Sequence, residues 1–116
     1  MEYTPMHGIG NSYVIIGEDI EEPEKQSVIL SKKYKTDGII LVLPSDICDV
    51  KMRIFNADGS EAEMCGNGSR CVARYVVDKG IVNKPCITLE TGAGVKKLYP
   101  VIEDGVVTAV RVDMGI

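Results

Sequence analysis

The segment from about Gly66 or Asn67 to Lys79 carries the strongest constraint on the fold. Read as a helix, it places Val72, Ala73, Tyr75, Val76 and Val77 on several faces, with Gly80 in position to stop it. A helix apolar around most of its girth has to be surrounded by protein. The rest of the chain must then supply a wrapping layer. With one phenylalanine and no tryptophan, that layer has to be built mainly from Val, Ile and Leu, which favours strands.

Hydrophobic periodicity finds those strands. Tyr13 to Ile16 and Ile39 to Leu43 are short β-rich apolar runs bounded by turn formers, and Lys51 to Phe55 alternates until its end. Cys86 to Glu90, Val95 to Val101 and Val106 to Met114 read as a meander with turns at Thr91–Gly94 and Glu103–Gly105. One further helix is expected over Pro23 to Lys33, with proline at an early position and Val28, Ile29 and Leu30 for its buried face. Six or more mainly antiparallel strands and a largely apolar helix give an α+β class: a curved sheet, or half-barrel, wrapped around a central helix. At 116 residues this is one domain with a single modest core.

Composition narrows the function. Hydrophobic content of 45% with 26% charged residues is globular rather than disordered. A net charge of -4 argues against nucleic acid or an anionic membrane surface as partner, because either needs a basic patch. Met1 is followed by Glu-Tyr-Thr-Pro instead of a basic segment and a long apolar run, and no apolar stretch approaches transmembrane length. A cytoplasmic protein with a small-molecule or protein partner is expected. Its four cysteines, Cys48, Cys65, Cys71 and Cys86, are expected to be reduced, and their spacing fits neither CxxC nor a zinc site.

Chemistry concentrates in the stretch FNADGSEAEMCGNGSRC, Phe55 to Cys71. Cys65 precedes Gly66-Asn67-Gly68 at the entrance to the apolar helix. The first turn of a helix has unpaired N–H groups and the positive end of the macrodipole, so a thiol there is drawn toward thiolate and an anion can be cradled beside it. Cysteine's ordinary pKa of about 8.5 falls by a unit or more in such a place. Cys65 is thus a candidate base or nucleophile, and the residues alone leave thiol acid–base chemistry, thiol redox chemistry and an inert buried thiol open. A P-loop is excluded because no GxxxxGK[ST] pattern occurs, and the sole histidine, His7, is remote for a cysteine hydrolase. Cys71 points to a different face of the helix and is read as core; Cys48 and Cys86 are read as structural. Arg70, Arg74 and Asp78 form an exposed stripe or local ion pair, His7 is read as a turn or hydrogen-bond residue, and Glu61 and Glu63 are read as solvated charges that oppose the dipole at Cys65.

Three blocks carry a family resemblance: Met6-His7-Gly8-Ile9-Gly10-Asn11, Thr36 to Val42, and the long Phe55 to Cys71 block. On them the sequence resembles the diaminopimelate epimerase family, cofactor-independent amino-acid racemases that use two thiols. The match runs along essentially the whole chain and covers the amino-terminal half of the family's usual length. The resemblance implies a fold of two similar halves with substrate between them, no pyridoxal phosphate and no metal. It also implies inversion of one α-carbon of diaminopimelate between LL and meso forms, on the route to lysine and peptidoglycan. It carries Cys65 onto the amino-half catalytic thiol, Gly66 and Asn67 onto the residues that take the α-carboxylate, and Asn11 and Asn56 onto asparagines that hold the amino acid. Ser12 and Tyr13 stand where the family more often has Asp and Phe, and Gly38 stands where some members carry a substrate-touching glutamine, so that contact is not expected.

Residues 1–116 are accordingly read as the amino-terminal domain with the carboxy-terminal domain absent, inactive alone because no residue matches the partner cysteine. Rival readings are a related racemase or isomerase of another small acid, such as proline or an aromatic dihydro acid, and a stand-alone half that binds a ligand or assembles, for example as a homodimer through its apolar face.

Overall fold

The computed structural model of the chain describes residues 3–7, 12–62, 66–82 and 84–113. Within them lie strands β1 (Tyr3–His7) and β2 (Ser12–Ile16), helix α1 (Pro23–Tyr34), and strands β3 (Gly38–Leu43), β4 (Val50–Asn56) and β5 (Glu61–Ala62). Helix α2 (Gly66–Asp78) and strands β6 (Ile87–Thr91), β7 (Gly94–Glu103) and β8 (Val106–Asp113) complete the described elements. They build one sheet in the order β1-β2-β3-β4-β6-β7-β8, with β5 paired to β4 beside this path.

Most neighbours are antiparallel, but β2 with β3 and β4 with β6 run parallel. Each parallel pair is joined through a helix, α1 for the first and α2 for the second. Between the two crossovers the chain reverses direction from β3 to β4. Crossovers of the usual right hand then put the two helices on opposite faces of the sheet.

That is what the packing shows. Val14 and Ile16 of β2, Ile39 and Leu41 of β3, and Phe55 of β4 pack with Leu30 of α1. Their neighbours Tyr13, Ile15, Ile40, Val42, Met52 and Ile54 point the other way, into a larger core with Val72, Ala73, Tyr75 and Val76 of α2. The continuous apolar run in β3 follows directly, because a strand buried on both faces has no solvent side to alternate with. In β6 only one face is covered: Ile87 and Leu89 are fully buried while Thr88 and Glu90 are not.

Helix α2 lies against β2 and β3 near one end of the sheet and against β7 and β8 at the other, so the sheet curls around it. The expected half-barrel around a central helix is thus the observed architecture. Arg70, Arg74 and Asp78 form an open stripe along α2, with Arg74 Nε 3.7 Å from Asp78 Oδ2. The helix ends in a Schellman motif: Ile81 N donates to Val76 O at 2.9 Å and Gly80 N to Val77 O at 3.1 Å, with Gly80 at φ 69°.

Three expectations need correction. The buried face of α1 is Ser27, Leu30 and Ser31, whereas Val28 and Ile29 are 45% and 57% exposed. Positions 27, 30 and 31 share one side of a helix, and small serines there let α1 sit close to the sheet. His7, read as a turn or hydrogen-bond residue, has the backbone of a strand end: it is the last residue of β1, opposite Ser12. Strand β1 contains Pro5, which weakens a strand pattern and is tolerated at a sheet edge; among the described residues β1 lies at the end of the sheet.

Candidate active site

Helix α2 begins at Gly66, the residue bonded to Cys65, and its first turn contains no acidic side chain. The positive end of its dipole is therefore not neutralised from within the helix. Gly68 and Ser69 are already buried, so the helix enters the fold at its start. Cys65 and Asn11 lie outside the described residues, as do Glu63 and Met114. Gly66 and Asn67 take the helix-start positions expected of them.

What leads into this helix is well defined. Strand β5 pairs with the end of β4 in the register Ile54↔Ala62 and Phe55↔Glu61. Three residues separate Ala62 from Gly66, and the four steps between them keep the start of α2 within roughly 14 Å of β5. Asn56, half-buried, is the last residue of β4 and begins the connection to β5.

That connection is a closed hydrogen-bonded turn. Asn56 N donates to Ser60 O at 2.7 Å, and Gly59 N donates back to Asn56 O at 3.0 Å. Ala57 N donates to Asp37 O at 2.9 Å, tying the turn to the start of β3. The Ser60 amide and hydroxyl both donate to Asp58 Oδ1, at 2.9 and 2.6 Å, and Asn56 Nδ2 donates to Ser60 Oγ at 3.1 Å. The Ser60 hydroxyl, and after it the Ser60 amide, hold the Asp58 carboxyl below the usual carboxylate range. Gly59 has φ 93°, and a Cβ there would come within 2.8 Å of the Glu24 carbonyl oxygen in α1, so only glycine lets the turn rest on that helix.

Glu61 is more than a solvated charge. Arg53 Nε donates to its Oε2 at 3.0 Å and Nη2 to its Oε1 at 3.2 Å, a two-pronged pair half-open to solvent. Arg53 also lies over the Phe55 ring, 5.0 Å from its centroid. Such a pair adds little stability, but it cancels a negative charge close to the chain leading into α2. Between β5 and β6, beside Met52 and Arg53, the sheet opens into a cleft of about 460 Å³ bordered by Lys51, Glu61 and Glu90.

Cys71 is buried in the core against α2's neighbours, as expected, and Cys48 and Cys86 are half-buried; none of the three is disulfide-bonded. Among the described residues no group of three or more His, Cys, Asp or Glu side chains is arranged to hold a metal ion. No helix among them is long and apolar enough to cross a membrane.

A family model described as diaminopimelate epimerase matches residues 3–116. The chain belongs to the diaminopimelate epimerase family. It is 50% identical to the diaminopimelate epimerase of Methanococcus maripaludis (strain S2), over 99% of this chain and 44% of that relative. It is also 50% identical to the diaminopimelate epimerase of Agathobacter rectalis, over 99% of this chain and 42% of the relative. The chain thus spans less than half the length of the curated relatives it matches.

Among solved structures, a probable proline racemase from Agrobacterium radiobacter K84 superposes with TM-score 0.73 at 24% identity, covering 95% of this chain and 40% of that one. A hydroxyproline epimerase from Agrobacterium vitis gives 0.71 at 19%, with the same coverage. At these identities the likeness is one of fold, and it matches the curled half-barrel seen here.

Of the residues the family resemblance singled out, the described structure brings Asn56 to the end of β4 and Gly66 and Asn67 to the start of α2, at the two ends of one short connection. Sequence reasoning missed Asp58 and Ser60, which fasten Asn56. The Asp58-Gly59 pair between two strands was the available signal, since Asp-Gly is a strong hairpin dipeptide.

Proposed function

We propose that residues 1–116 form the amino-terminal domain of a diaminopimelate epimerase whose carboxy-terminal domain is not part of this chain. The family membership, at half-identity along the whole chain, carries this reading; the start of α2 directly after Cys65 supports it.

In the proposed reaction the Cys65 sulfur is one of two acid–base groups flanking the substrate α-carbon. As thiolate it takes the α-proton: the C–H bond breaks, an S–H bond forms, and the electron pair spreads into the α-carboxylate. A thiol of the carboxy-terminal domain delivers a proton to the opposite face, inverting the centre; in the reverse direction the two sulfurs exchange roles. The amides of Gly66 and Asn67 hold the α-carboxylate, where preorganised donors stabilise the growing charge most strongly when water is excluded. Asn11 and Asn56 fix the rest of the amino acid. No pyridoxal phosphate or metal takes part in this scheme, and the protein acts in the cytoplasm, on lysine and peptidoglycan precursors.

The chain alone lacks the second thiol, so it is inactive as an epimerase. The test is complementation. Mixed with the carboxy-terminal half of a relative, or fused to it, the chain is expected to interconvert LL and meso diaminopimelate and to incorporate solvent deuterium at the α-carbon. Cys65→Ala is expected to abolish the interconversion, because inversion needs a group on each face. A full-length protein with both cysteines that neither epimerises nor exchanges would overturn the proposal.

A further inference from the structure

The turn that carries Asn56 decides which end of its amide faces outward. Ser60 Oγ lies 2.6 Å from Asp58 Oδ1 and 3.1 Å from Asn56 Nδ2. Two oxygens that close need a hydrogen between them. An ionised carboxylate has none to give, so the hydrogen is that of the Ser60 hydroxyl. A hydroxyl has only one. Toward Asn56 the Ser60 oxygen can therefore only accept, and the group of Asn56 that faces it must be the NH2, with the carbonyl Oδ1 on the opposite side of the amide. The Ser60 amide, donating to the same Asp58 oxygen at 2.9 Å, keeps the carboxylate in place.

We propose that Asp58 is a positioning residue that, through Ser60, locks the Asn56 amide so that Asn56 offers the site a hydrogen-bond acceptor. The partner this selects is the ammonium group of an amino-acid substrate and not its carboxylate. The assignment of a substrate to that acceptor rests on the epimerase reading; the amide orientation does not. Without Asp58, the Ser60 hydrogen is free to turn toward Asn56 and the amide is free to reverse, so the discrimination is lost while the fold remains.

Two measurements test this and separate it from the functional reading. In the isotopically labelled chain, exchange of the Asn56 side-chain NH2 hydrogens with water is followed by NMR. It is expected to be slowed severalfold relative to a solvated asparagine, to speed up severalfold in Ser60→Ala and Asp58→Ala, and to stay near the original rate in Asp58→Asn, whose carbonyl still accepts from Ser60. Unslowed exchange in the unmodified chain overturns the assignment even if a variant fails to fold, as does an unchanged rate in folded Ser60→Ala and Asp58→Ala. In the complemented epimerase, Asp58→Ala is expected to raise KM roughly fivefold, the worth of one hydrogen bond, with kcat nearly constant, and Asp58→Asn to restore KM. A fall in kcat at constant KM overturns the positioning role. Absence of any epimerase activity in the unmodified assembly overturns the functional reading instead, and the exchange rates still decide the orientation.

Discussion

Gly38 stands directly opposite Asn56 at the end of the β3–β4 pairing, and a methyl group on Gly38 would overlap the carbonyl oxygen of Phe55. The obstacle is backbone, which cannot swing aside as a side chain can. Gly38→Ala is therefore expected to destabilise the fold by roughly 1–3 kcal/mol, as overpacking does. Urea denaturation measures it. The same substitution should disturb the Asn56 turn, visible as shifted backbone resonances from Asp37 to Ser60.

Gly80 provides the contrast. Nothing lies within 4 Å of a Cβ built there, but its φ of 69° is left-handed. Gly80→Ala should cost about 1 kcal/mol through backbone conformation alone, and Gly80→Asn less, because asparagine tolerates that region. Equal midpoints for all three proteins would contradict the helix-stop geometry.

The two cores make a sharp statement about α1. Leu30 is 4% exposed and Ile29 is 57% exposed. Leu30→Ala should lose about 2–4 kcal/mol, against no more than about 0.5 for Ile29→Ala. Thermal or urea unfolding of the pair decides which residue faces the sheet.

These contrasts also show what could be read from the sequence. Both helices and the strands from β2 onward, except the two-residue β5, were legible because the periods of 2 and 3.6 are set by backbone geometry, and the turns at 91–94 and 103–105 because glycine and aspartate announce them; β1, interrupted by Pro5, and β5, too short to show a period, were not. Helix α1 was harder. Its apolar residues are consecutive, so three candidates shared several faces, and only the sheet's demand for close approach selected Leu30 with Ser27 and Ser31. The parallel pairings were not legible, since alternation reveals a strand but not its neighbour. At the site, the Gly-Asn-Gly helix start could be read directly from glycine chemistry. The Asp58–Ser60 fastening of Asn56 could not, because it depends on which of several polar side chains point at one another.

Acid should weaken the protein partly through Asp49. Lys84 Nζ donates to Asp49 Oδ1 at 2.7 Å, and the Thr88 amide and hydroxyl donate to Oδ2 at 2.9 and 3.1 Å. The Lys84 hydrogen bond first, and then the Thr88 amide, hold the carboxyl below its usual range. A carboxyl depressed in the folded state stabilises fully above its unfolded value of about 3.9, and that contribution disappears as pH falls through the folded value. Asp49→Asn is expected to be less stable at neutral pH and to lose less stability below about pH 4. Urea midpoints between about pH 2 and 7 check both halves of the statement. Parallel curves for the two proteins would contradict it.

The most direct test of the proposed chemistry is the rate at which Cys65 is alkylated by iodoacetamide as a function of pH, read from the mass of its own peptide. A thiolate favoured by the start of α2 should reach half its maximal rate at least about one unit below the free-thiol value near 8.5. A rate that rises only at or above that value would contradict a catalytic role for this sulfur.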